Sequence, residues 1–60
     1  MKINRESAVM FGEMLMKNTQ IVELHLVDVG LDSYGLIEIS KGLKHCVMLD
    51  LLDLRKNIFD

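Results

Sequence analysis

The strongest constraint on this chain is that it writes one apolar frame twice. Displaced against itself by 28 residues, Ile21 falls on Leu49, Leu24 on Leu52 and Leu26 on Leu54. Ahead of these, Ala8 falls on Leu36, Val9 on Ile37, Phe11 on Ile39 and Leu15 on Leu43. Ile3, Leu31 and Phe59 form a three-point series at the same spacing. The polar positions in between change freely. Stacked units need this pattern, because each must present the same buried points to its neighbours.

Each unit has two textures. In Ser33 to Lys44, Leu36, Ile39 and Leu43 stand at i, i+3 and i+7, one face of a helix. Glu38, Lys41 and Lys44 are expected on the opposite side, and Asp32 or Ser33 is expected to cap the first turn. The earlier copy, Arg5 to Lys17, repeats the spacing with Ala8, Phe11 and Leu15, and Asn4 is its expected cap. The second texture is short. Val22, Leu24 and Leu26 alternate with Glu23 and His25, while Leu52 and Leu54 flank Asp53. Period 2 over a few residues predicts strands over 22–26 and 50–54, each with one buried face. Strand, helix, strand in a unit of this length is a βαβ step, with parallel strands and a right-handed crossover.

Leu49, Leu52, Leu54, Asn57 and Phe59 fill the pattern L-x-x-L-x-L-x-x-N-x-L, and Ile21, Leu24, Leu26, Val29 and Leu31 fill it in the first copy. The chain thereby resembles the leucine-rich repeat proteins, and a 28-residue period containing a helix resembles their ribonuclease-inhibitor-like class. The stretch FGEMLMKNTQIVELHL is similar to phrasing in tropomodulins and leiomodins, NLR receptors and Ran GTPase-activating proteins. The resemblance covers nearly the whole chain. It implies an α/β fold: a right-handed solenoid of βα repeats, with parallel strands on a concave face and helices on a convex one. Residues 1–60 are then one leucine-rich repeat segment of about two repeats. Val29 departs from the pattern by replacing the asparagine that serves the turn after the strand. That turn is expected to rely on its own backbone, on Gly30 or on water.

Met1 shares the repeat position of Val29 and Asn57, and Asp60 stands where Asp32 introduces a helix. The expectation is therefore a segment of a longer array, a truncated product, or a subunit that stacks with further repeats or with itself. Met10 and Met14 widen the apolar arc of the first helix and predict an exposed adhesive edge.

In such an architecture Leu24, Leu26, Leu52 and Leu54 point to the core. Glu23, His25 and Val27 point outward from the first strand, and Leu51, Asp53 and Arg55 from the second, with Asp28 and Lys56 continuing the rim. Glu23 should lie beside Leu51, His25 beside Asp53 and Val27 beside Arg55, about 4.8 Å apart. These eight residues are the candidate partner-binding surface, suited to a protein of mixed charge. The plain alternative is that they are ordinary solvated residues of an open sheet face.

His25 opposite Asp53 also has the form of half a general-base arrangement, which makes a His/Asp-dependent hydrolase a remote reading. No serine or cysteine shares that face in the repeat frame. Cys46 aligns with Asn18 in the helix-to-strand loop and is expected to be structural. Gly12 and Gly35 lack the strand-to-helix context of a phosphate loop. The adjacent pair His45 and Cys46 does not make a zinc-ligand spacing. No cofactor is expected.

A net charge of -2 with mixed signs argues against nucleic acid and against a polybasic membrane patch. The single cysteine allows no internal disulfide and suits a reducing compartment, so a cytoplasmic location is expected. Neither a secretory signal nor an apolar run of membrane-spanning length is present. The function expected from the sequence is non-enzymatic protein–protein interaction through the concave strand face. The alternative is an actin-associated cytoskeletal segment of the tropomodulin type.

Overall fold

The structure, a computed structural model, describes residues 2–59. Its elements run α1 (Arg5–Met16), β1 (Glu23–His25), α2 (Ser33–Leu43) and β2 (Leu51–Asp53). Both helices begin where an oxygen-bearing side chain can serve the exposed amides of the first turn. The Ser7 N–H donates to Asn4 Oδ1 at 2.8 Å, and the Gly35 N–H donates to Asp32 Oδ1 at 2.8 Å. Asn4 and Asp32 are themselves one repeat apart. Each helix ends one residue before the expected limit, at caps Lys17 and Lys44.

The two strands are parallel, with Glu23 opposite Leu51, Leu24 opposite Leu52 and His25 opposite Asp53, as the repeat register predicts. Regular strand covers three residues in each, fewer than the expected 22–26 and 50–54. The backbone pairing nevertheless runs well beyond them. Asp50 N–H reaches Val22 O at 2.7 Å, Leu26 N–H reaches Asp53 O at 2.8 Å and Asp28 N–H reaches Arg55 O at 3.0 Å. Past the turns, Ile58 N–H donates to Leu31 O at 2.9 Å. The two units thus stay bonded through strand and turn alike.

Ile3, Ala8, Leu15, Leu26, Val29, Leu31, Ile39 and Cys46 form the buried cluster, and Leu15, Leu31 and Ile39 are wholly enclosed. Leu24 and Leu54 pack against it half-buried. Leu52, expected in the core, is 39% exposed. The physical reason is position: β2 is the second strand of a two-stranded sheet, and no described element covers its far side. Phe59 is 37% exposed for the same reason, although its repeat partners Ile3 and Leu31 are buried.

The helices meet along a glycine seam that the heptad-like pattern does not reveal. A Cβ on Gly12 would lie 2.5 Å from the Glu38 carbonyl oxygen. A Cβ on Gly42 would overlap the Gly12 carbonyl and come within 2.8 Å of Leu15 Cβ. Only glycine permits backbones to approach so closely. The Glu38 side chain, expected on the open side of α2, is only 16% exposed, and its carboxylate holds Lys41 Nζ at 3.1 Å. Arg5 lies over the Tyr34 ring, 4.5 Å from its centroid, and ties the helix starts together.

Candidate functional site

Strand alternation lifts five of the eight candidate residues onto one surface. Glu23, His25, Leu51 and Arg55 are exposed there, and Asp53 lies lower between them. His25 Nε2 stands 3.1 Å from Glu23 Oε1, while its Nδ1 is 3.8 Å from Asp53 Oδ2. The second distance is too long for a hydrogen bond. Asp53 is instead engaged by Arg55: Nε to Oδ1 at 2.9 Å and Nη2 to Oδ2 at 2.9 Å, a two-pronged pair. The Arg55 backbone N–H adds a contact of 3.2 Å to Oδ1.

These bonds fix the electrostatics. The Arg55 side-chain hydrogen bonds hold the Asp53 carboxyl below its ordinary value, helped by the Arg55 backbone N–H. The same hydrogen bonds raise the Arg55 guanidinium. The Asp53 side chain is 14% exposed and that of Arg55 77%, so the guanidinium is the group a visitor meets first. Its planar fork, held by the carboxylate, loses little freedom on contact. Both Asp53 oxygens face Arg55, so Asp53 does not orient the His25 ring by a hydrogen bond.

The other three candidates fall elsewhere. Val27 is half-buried rather than open. Asp28 and Lys56 occupy turn positions with φ of 54° and 63°, the left-handed region, one repeat apart. They are exposed, but their backbones are committed to closing the turns. Cys46 is buried, as expected for a structural residue: its thiol lies 3.6 Å from Leu15 O and 3.6 Å from Asn18 O.

Sequence reasoning missed how the first turn is served. Asn57, from the second unit, accepts from Val29 N–H and Leu31 N–H at 3.0 Å each. Its Nδ2 donates to Leu26 O at 2.6 Å and to Leu54 O at 3.0 Å. The turn at Val29 therefore borrows its amide from the neighbouring unit, and Gly30, at φ 70°, supplies the left-handed residue within it. The signal was the asparagine itself, read within its own unit when it also reaches back to the preceding one. An apolar depression lined by Leu51, Leu52, Leu54 and Phe59, with Asp53 and Arg55 at its edge, was also missed. It joins Leu51, expected to face outward, to Leu52 and Leu54, expected to face the core.

Fold and site together define a small mixed helix/strand domain of two helices and a two-stranded parallel sheet, with a charged row on the sheet. No family model, no curated protein and no solved structure matches the chain. Among the described residues, no helix is long and apolar enough to cross a membrane, and no group of three His, Cys, Asp or Glu is placed to hold a metal ion.

Proposed function

We propose that this chain is a two-unit segment of a leucine-rich-repeat solenoid that binds a protein partner through its strand face, by complementarity and without catalysis. The observation that carries this reading is the Arg55 guanidinium, exposed in the turn just past β2 and held by two bonds to Asp53. Around it lie Glu23, His25 and Leu51, so the surface offers both charges and one apolar contact. Arginine is enriched among residues that dominate interface energy. The partner it fits is a protein surface presenting a carboxylate opposite Arg55 and a basic group opposite Glu23.

A photo-cross-linker at Leu51, compared with one at Lys44 behind the sheet, tests the reading. A specific protein adduct is expected at Leu51 alone. It should disappear when Asp53→Arg and Arg55→Asp are combined, while cooperative unfolding and the far-ultraviolet circular dichroism spectrum of the parent are retained. An adduct that survives the charge exchange, or equal labelling at both positions, overturns it.

A further inference from the structure

α2 meets α1 through Gly35, Glu38, Ile39 and Gly42. One 28-residue period earlier stand Ser7, Met10, Phe11 and Met14. These four line a single depression on α1, turned away from α2, with Met10 and Met14 64% and 45% exposed. Conversely, α1 enters the seam with Ala8, Gly12 and Leu15, and one period later stand Leu36, Ser40 and Leu43. Ser40 is exposed and the two leucines are half-buried. The molecule therefore carries, on its two ends, the faces equivalent in register to the two sides of its inner seam, with Ser40 in place of Gly12 and Met14 in place of Gly42.

The sheet repeats this relation. In a parallel ladder, successive residues aim their N–H and C=O to opposite sides. Val22, Leu26 and Asp28 bond toward β2, so Glu23, His25 and Val27 aim at the open edge of β1. Asp53 and Arg55 bond back toward β1, so Leu52 and Leu54 aim at the open edge of β2.

The geometry points to a second copy of this chain as the occupant of these surfaces, stacked head to tail with β2 of one copy beside β1 of the next. The observed register then sets Leu51 beside Glu23 and Asp53 beside His25, the pairs already formed inside the molecule. Each Asp53 gains a second histidine neighbour, and the exposed Leu52 is covered by Leu24. Ser40 stands where Gly12 stands inside the molecule and Met14 where Gly42 stands, so helices of adjacent copies lie farther apart than α1 and α2. Methionine adapts to such a gap, while the strands keep about 4.8 Å. The stack curves, and being heterologous it forms rings or open filaments.

One feature opposes stacking. Two periods of 28 residues make 56, so Phe59 of one copy and Ile3 of the next fall on the same place. Ile3 already fills it: it is 8% exposed and donates its N–H to Val29 O at 2.7 Å. Residues 2–4 act as a plug that a docking copy must displace.

This inference rests on the two-unit solenoid reading but not on the strand-face side chains. Its test therefore fails separately from the partner test above. Copies carrying only Glu23→Cys are mixed with copies carrying only Leu51→Cys and oxidised; both positions are exposed. Adjacent paired strands fall within disulfide reach. The mixed disulfide is expected to exceed either same-variant disulfide by about tenfold, through effective concentration. Removing residues 2 and 3 should raise its yield, and Met10→Lys with Met14→Lys should abolish it. Same-variant disulfides in excess would mean a two-fold assembly and overturn the proposal. So would a sedimenting monomer that gives no disulfide, or a mixed disulfide indifferent to the methionine changes.

Discussion

Replacing Asn57 with alanine should cost far more than the loss of an ordinary turn residue. The side chain serves five backbone groups, in two turns that belong to different units. Two of them, the N–H groups of Val29 and Leu31, are part-buried, and each donates to Asn57 Oδ1 at 3.0 Å. A buried donor left without a partner costs about 1–3 kcal/mol. Carbonyl oxygens tolerate the loss of one partner better than N–H groups do. Water reaches such a turn in part, so the two donors together set the loss at about 3 kcal/mol. For a domain of this size that lowers the melting temperature by about 24 °C. Urea unfolding followed by far-ultraviolet circular dichroism measures it, and an unchanged slope shows that the unfolded state is the same. The control is Asn18→Ala, since Asn18 is exposed and its side chain bonds only within its own helix end, to Met14 O at 2.8 Å. Equal losses for the two variants would refute the view that Asn57 joins the units.

Three further outcomes follow from the packing and the charges. Gly42→Ala drives a methyl into the Gly12 backbone and should cost about 2–3 kcal/mol by overpacking, read as a lower urea midpoint. Leu15→Ala should cost about 3 kcal/mol because Leu15 is wholly enclosed, whereas Leu52→Ala, 39% exposed, should cost under about 1 kcal/mol. Asp53 is depressed in the folded chain, so its stabilisation is complete above the ordinary carboxylate value of 3.8 and fades as pH falls below it through the folded value. Asp53→Asn should remove that part of the acid-side decline in melting temperature, and an unchanged pH profile would contradict the Arg55 pairing.

The repeat made the fold legible because stacking needs the same buried points in each unit. Both caps, Asn4 and Asp32, and the pairing of Glu23 with Leu51 and His25 with Asp53 could be read from it. A period, however, says only which positions are equivalent, and equivalent positions differ when one unit has a neighbour and the other does not. Ile3 and Leu31 are buried while Phe59 is open, and Leu24 is half-buried while Leu52 is open. The glycine seam escaped for a related reason. Gly12 is one period from Ser40, and Gly42 one period from Met14, so neither glycine repeats. Close backbone approach is a property of one particular junction.

The candidate site was legible as a row of residues but not as a hierarchy. Alternation predicts that Asp53 and Arg55 rise from the same strand, yet it does not say that they bind each other. Side chains two residues apart on a strand share a face, and Arg55 is long enough to fold back along it. The consequence is chemical. A carboxylate free beside His25 would orient an imidazole; a carboxylate held by Arg55 at 2.9 Å on each oxygen fixes a guanidinium instead. Exchanging Arg55 for lysine keeps the charge but loses the fork. If Arg55 is the recognition group, Arg55→Lys should weaken partner capture at Leu51 nearly as much as Arg55→Ala, because a point charge does not reproduce two-pronged geometry. Capture by the lysine variant at the parent level would reduce the strand face to its net charge and remove Arg55 from the centre of the site.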